Sequence, residues 1–309
     1  MRTVRVDALD NDFSVLGFGC ASLGSMVSAS AGLRAIDLAL HLGVNWFDVA
    51  PNYGGGNAEI LLGEALRVNR RSVAICTKIS VLPPFQNPIP PFLRPAARWM
   101  MKAAPIGWQA ARSRRRLRAE RPRLDAAFIE RSLIASLKRL QTDYVDVVAL
   151  HDPDVSESTA PDIIEALERV LEKGYARTAA IAGSLDAVIE GVSKSDLFRV
   201  VQIRDGFLTR ARVVERIMCT PNRNPLVVTH GAFSDLYLEK RARRMLAESG
   251  HSRAEFSQRA LNFALSKNPN GIVVASMFSL DHIRANCGVS ARAFDTDAAL
   301  KFAQRFANS

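Results

Sequence analysis

Eight short apolar runs, each trailed by a stretch of helical period, constrain this chain more than any other feature. The runs are LGFGC (16–20), VNWFDV (44–49), SVAICT (72–77), YVDVVAL (144–150), ARTAAIA (176–182), RVVQI (199–203), PLVVT (225–229) and GIVVAS (271–276). Helical patterns follow at 31–41, 58–68, 126–140, 160–171, 185–193, 209–218, 253–266 and 280–286. Five to seven residues is strand length, whereas apolar positions recurring three and four apart mark one face of a helix. Strands alternating with such helices imply βαβ units and a parallel sheet, and eight of them imply closure into a (β/α)₈ TIM barrel. An open doubly wound sheet is the competitor, but no G-x-G-x-x-G follows the first run. The 309 residues suit one barrel with insertions, so a single domain over 1–309 is expected. An extra helix is expected at 235–248.

One segment breaks the alternation. The stretch 83–124, between the third strand and its helix, opens with the proline-rich PPFQNPIPPFLRP, which suits neither helix nor central strand. A connection this long is usually a functional lid or a disordered segment. Following a strand, it leaves from the catalytic face of a barrel. It also holds the basicity: residues 83–123 carry a net +9 of the chain's +10. The charge is therefore a local device, and no recognised nucleic-acid motif accompanies it, so no nucleic-acid partner is expected. Trp99, Met100, Met101, Ile106 and Trp108 interleave with the basic residues. A substrate cap is the reading for 85–108 and a solvated helix for 112–118; a membrane-surface contact ranks lower.

The remaining composition mainly excludes. MRTVRVDALDND has no apolar targeting core, and runs such as VDVVAL are far too short to span a bilayer, which points to a cytoplasmic protein without stable membrane insertion. Cys20, Cys76, Cys219 and Cys287 show no paired spacing and read as reduced structural thiols; no metal is expected. His41, His251 and His282 have no chemical context and read as surface residues.

Four other residues do have a context. Asp48 and Tyr53 in FDVAPNYG, Lys78 in ICTK and His151 in VVALH lie at or just past three successive predicted strands. A barrel would bring them to one rim, grouping an acid, a phenol, an ammonium and an imidazole. A tyrosine near pKa 10 keeps its proton at neutral pH, and an adjacent lysine would stabilise the phenolate and lower that pKa. Asp48 would pair with Lys78, and His151 would orient a substrate carbonyl or share a proton relay. The expected geometry is a direct hydrogen bond between the Tyr53 hydroxyl and the Lys78 amine.

With LGFGCASLG, GVNWFDVAPNYGGGNAEILLGEAL, CTK, LKRLQTDYVDVVALHDP and LDHIRANC in place, the chain resembles the aldo-keto reductases from about Leu16 to Asn286, apart from the insertion. The resemblance implies hydride transfer between a nicotinamide and the carbonyl of an aldehyde or ketone, in either direction, with Tyr53 as proton donor. It implies Gln202 for the nicotinamide carboxamide, His230 where an aromatic stacks on the ring, and Asn286 for the adenine. The sequence departs from the pattern at Ala182 and Gly183, where relatives carry a Ser-Asn pair. It departs again at Ser276-Met277, where NADP-preferring relatives carry Lys-Ser, with His282 in place of an arginine and Arg284 nearby. NADP(H) is the first expectation and NAD(H) the second. These departures keep two other readings open: a binding or regulatory barrel with weakened coenzyme affinity, and a lyase or isomerase using Tyr53 and His151 as an acid–base pair. The sequence leaves open the substrate, the direction of reaction and the oligomeric state.

Overall fold

The computed structural model describes residues 1–79, 124–206, 209, 212–221, 223–233, 246–247, 250 and 252–293. The expected lid at 83–124, save Leu124, and the expected helix at 235–248, save residues 246–247, lie outside the described residues, as does His251.

All eight predicted strands form and close into one parallel barrel. They are β3 (Leu16–Gly19), β4 (Trp46–Asp48), β5 (Ala74–Ile79), β6 (Val145–His151), β7 (Ala176–Ala182), β8 (Phe198–Arg204), β9 (Leu226–His230) and β10 (Ile272–Ala275). Neighbours in the barrel are neighbours in the chain, and β10 pairs with β3 to seal it. The sequence reading missed a preceding antiparallel hairpin, β1 (Thr3–Val6) and β2 (Asn11–Ser14).

The helices among the described residues are α1 (Ala29–His41), α2 (Asn57–Leu66), α3 (Ala126–Leu140), α4 (Val155–Thr159), α5 (Pro161–Glu172), α6 (Leu185–Lys194), α7 (Val213–Met218), α8 (Arg253–Lys267) and α9 (Leu280–Ala291). Their starts are chemically marked. Ser28, Asp125 and Ser184 each accept a hydrogen bond from a backbone N–H in the first turn of α1, α3 and α6, and Ser252 with Glu255 forms a reciprocal cap on α8. The helix expected over 209–218 begins only at Val213. Gly206 and Thr209 bond each other instead: the Gly206 N–H donates to Thr209 Oγ1 at 3.0 Å, and the Thr209 N–H donates to the Gly206 carbonyl at 3.1 Å. That closed turn competes with helix. The last helix runs a turn beyond the expected 286, because Cys287 and Ser290 continue the buried stripe begun by Ile283 and Asn286.

Side chains along each strand alternate between the barrel interior and the helix layer. Trp46, Ala74, Cys76, Val147, Ala149, Ala180, Ala182, Val200, Val228, Ile272 and Val274 fill the interior. Their chain neighbours Phe47, Ile75, Val148, Ile181, Val201, Val227 and Val273 pack outward under the helices. The hairpin closes the N-terminal end by adding Val6, Leu9 and Phe13 to the interior cluster, with Phe13 set edge-on against Trp46 at 5.6 Å between ring centroids. Full burial of one such side chain is worth roughly 1.5–3 kcal/mol. Gly17 makes room for the indole, since a Cβ there would lie 2.9 Å from Trp46 Cδ1. The hairpin thus plugs the barrel interior at its N-terminal end.

Candidate active site

Following the interior set one step further along each strand leads to the open end, and the residues met there are polar. Trp46 gives way to Asp48, Cys76 to Lys78, Ala149 to His151, Val200 to Gln202 and then Arg204, Val228 to His230, and Val274 to Ser276. Asp48, Lys78, His151, Gln202, Arg204, His230 and Ser276, with Tyr53, Ala182 and Gly183, line one cavity of about 530 Å³ at the C-terminal ends of the strands. The period-two alternation of the strands is therefore what assembles the site. A larger cavity of about 1240 Å³ borders the hairpin, the N-terminal ends of β8 and β9, and α7. None of the predicted site residues line it.

The four proposed catalytic groups meet as expected, with one difference. Lys78 Nζ donates to Asp48 Oδ1 at 2.6 Å and to the Val49 carbonyl at 3.2 Å. It stands 5.3 Å from the centre of the Tyr53 ring, and its hydrogen bonds go to those two acceptors rather than to the phenol oxygen. Burial alone would drive the Lys78 amine towards neutrality, but the Asp48 carboxylate overrides it and its pKa is raised. Lys78 is thus a fixed cation.

Tyr53 follows β4 on a tight turn, Tyr53–Gly56, in which Gly54, Gly55 and Gly56 all take positive φ (59°, 68° and 90°). That backbone is available to glycine at little cost. A Cβ on Gly54 would lie 2.4 Å from the Leu23 carbonyl, so the turn is pressed against the loop after β3. The Lys78 charge is the largest single influence on the phenol and pulls its pKa down. Burial, the Asp48 carboxylate and the neighbouring Cys20 and Cys76 together outweigh it, and the net shift is upward. The Lys78 influence has the direction expected from the sequence; the removal of water, which the sequence does not display, reverses the net result.

His151 is pushed down to about pKa 4, first by burial and then by the Lys78 charge, against a smaller upward pull from Asp152, whose carboxylate lies 3.9 Å away. It is a neutral imidazole at physiological pH, able to donate one N–H into the cavity. His230 is also shifted down, chiefly by burial.

The cofactor candidates divide. Gln202 is buried, lines the cavity, and its Oε1 has no hydrogen-bond partner. A buried amide oxygen left unpaired is costly, and a ligand amide N–H is the chemistry that would satisfy it. His230 lies in register with Arg204 at the same level, and Ser276 closes the far wall. Ala182 and Gly183 line the cavity without a side-chain donor, and the Gly183 N–H donates to the Gln202 carbonyl at 3.2 Å. A Cβ on Gly183 would lie 3.2 Å from Pro153 Cδ, so a side chain there would press on the Asp152–Pro153 turn. Arg284 is exposed on α9, 3.5 Å from Asp281, and does not line the cavity. Asn286 is buried and donates to Met277 Sδ at 3.7 Å. His41 and His282 are exposed.

Arg204, Asp152, Gly231 and Phe233 also line the cavity and were missed. Arg204 had a readable signal, standing two positions after Gln202 on the same strand face. The others depend on how the loops turn. Among the described residues no helix is long and apolar enough to cross a membrane.

A parallel eight-stranded barrel with these four groups at its open end defines a class, and comparison with known proteins agrees. The family model for the aldo/keto reductase family matches residues 15–204, and the chain belongs to that family. An uncharacterized oxidoreductase of Bacillus subtilis, YqkF, is 29% identical over 202 residues, which is 65% of this chain and 55% of that protein. The chain spans about half the length of the curated relatives it matches. Among solved structures, an aldo-keto reductase of Bacillus halodurans in its holo form superposes with TM-score 0.74 at 23% identity, covering 99% of this chain and 96% of that one. One of Klebsiella pneumoniae in complex with NADPH superposes with TM-score 0.72 at 18% identity, covering 99% and 95%. These likenesses bear on the fold.

Proposed function

We propose that this chain reduces an aldehyde or ketone to an alcohol, or runs the reverse oxidation, using NADP(H), with Tyr53 as the proton donor. The observation that carries the reading is the shared cavity. The Asp48–Lys78 pair, Tyr53 and His151 face the same space as the unpartnered Gln202 Oε1. Bound there, a reduced nicotinamide supplies the hydride, and Gln202, His230 and Ser276 are the residues that would hold it.

Each side chain then has a task. The neutral His151 donates an N–H to the substrate carbonyl oxygen and orients it. Tyr53 passes its hydroxyl proton to the oxygen as negative charge develops there. Lys78, kept charged by Asp48, stabilises the phenolate left behind. Burial of the pair makes this electrostatic help stronger than it would be in water. The residues act on a small carbonyl compound, as expected for a cavity of about 530 Å³.

NADP(H) is favoured by the family and by the Klebsiella relative described with NADPH. NAD(H) stays the second choice, because Arg284 pairs with Asp281 instead of facing the cavity. The missing donors at Ala182 and Gly183 favour a second reading, a binding or regulatory barrel of weakened coenzyme affinity.

Titrating the purified protein with NADPH and NADH by calorimetry separates the two. Submillimolar binding with turnover of a carbonyl panel supports the reductase. Binding of neither nucleotide below millimolar concentration ends it. In the reductase, Tyr53→Phe lowers kcat by about 10²–10⁴ with coenzyme affinity unchanged.

A further inference from the structure

Behind the cavity wall lies a buried polar connection that the reaction itself does not use. Glu59, on α2, is wholly buried. Its Oε1 accepts from Thr77 Oγ1 at 2.7 Å, and its Oε2 accepts from Arg139 Nε, on α3, at 2.6 Å. Arg139 is held in turn by a hydrogen bond from its Nη2 to Ser136 Oγ at 3.1 Å. Both carboxylate oxygens are engaged, one by a charged donor and one by a neutral donor, which is the condition under which a buried carboxylate is tolerated.

The location of the two ends is what matters. Thr77 immediately precedes Lys78 on β5; Thr77 faces the helices while Lys78 faces the cavity. Glu59 sits in the first turn of α2, the helix into which the Tyr53–Gly56 turn runs. Asn57 Nδ2, at the start of that helix, donates back to the Gly54 carbonyl at 2.9 Å. The glycines between carry no side chains to anchor the turn, so the place of Tyr53 depends on what holds its ends. The α2–α3 seam is close-packed as well, since a Cβ on Gly63 would lie 2.2 Å from the Leu140 carbonyl oxygen.

We infer that Glu59 is a positioning residue: by tying α2 to Thr77 and Arg139, it fixes the separation between the Tyr53 ring and the Lys78 ammonium. Its kinetic consequence rests on the reductase reading above; its structural consequence does not. Loosening the tie lets the turn and the strand drift apart, and Lys78 loses part of its hold on the phenol.

The test is Thr77→Val, which removes one donor to Glu59 and keeps side-chain size. Tyr53 is replaced by 3-fluorotyrosine in both backgrounds and titrated by ¹⁹F NMR. Thr77→Val should displace that titration upward, by about threefold in the phenol-to-phenolate ratio. It should lower kcat about tenfold with KM and NADPH affinity unchanged. Thr77→Ser, which keeps the hydroxyl, should restore both. If Thr77→Val does not fold, Glu59→Gln must give the same upward displacement. An unmoved titration and wild-type kcat in a variant that merely melts lower would make the contact structural only and overturn the inference. An inactive wild-type protein would count against the reductase reading, while the NMR arm would still decide this one.

Discussion

Lys78 and Asp48 meet across 2.6 Å with their side chains only 3% and 5% exposed, one strand apart at the open end of the barrel. Neither charge has water to fall back on, so each depends on the other. Asp48→Asn should therefore leave a buried cation without its counter-charge. The expected cost is about 3–5 kcal/mol in a urea unfolding series, with carbonyl turnover lower by about 10²–10³. A variant of wild-type stability and activity would show that the pair is dispensable.

His151 makes the pH dependence specific. Its folded pKa, about 4, lies below the value near 6.5 expected in the unfolded chain. Between those values the unfolded state binds more protons, so its contribution to stability is intact above pH 6.5 and is lost as pH falls towards 4. The slope is at most about 1.4 kcal/mol per pH unit. In chemical unfolding across pH 4–7, wild type should lose stability towards the acidic end by an amount that His151→Gln does not share. Parallel curves would place the imidazole in water. In the same protein kcat/KM should show no limb near pH 6.5.

Gln202 offers the cleanest separation of coenzyme from substrate. Gln202→Leu removes the unpartnered Oε1 and leaves Asp48, Tyr53, Lys78 and His151 untouched. Nucleotide affinity should fall about tenfold, the worth of one or two neutral hydrogen bonds, while the unfolding midpoint holds or rises. Unchanged NADPH affinity by calorimetry would remove Gln202 from the coenzyme site.

The hairpin can be tested without any ligand. Phe13→Ala should open a hole beneath Trp46 and cost about 3–5 kcal/mol in thermal or urea unfolding, with residual activity per folded molecule unchanged. A loss below 1 kcal/mol would mean that the interior does not need its plug.

The barrel was legible because each strand is apolar on both faces, giving short continuous runs that the alternating helices frame. The hairpin was not, because TVRV and NDFS are short, half solvated and each interrupted by a charge, Arg5 and Asp12. Their apolar members point into a space that exists only after the barrel has closed. The same limit applies to Glu59 and Arg139, which lie 80 positions apart and look like two ordinary helix charges in the sequence. The four polar groups Asp48, Tyr53, Lys78 and His151 of the cavity were legible because three of them stand at strand ends. The direction of the Tyr53 shift was not, because it depends on how much water the fold removes. Arg204 was within reach of the period-two rule that delivers Gln202.

The close fit between Gly183 and the Asp152–Pro153 turn bears on any redesign of the site. A side chain at position 183 would bring its first carbon to 3.2 Å from Pro153 Cδ, tight enough that the turn must give by a few tenths of an ångström. How readily the proline ring yields therefore decides what an asparagine there would cost, and the two segments are best varied together.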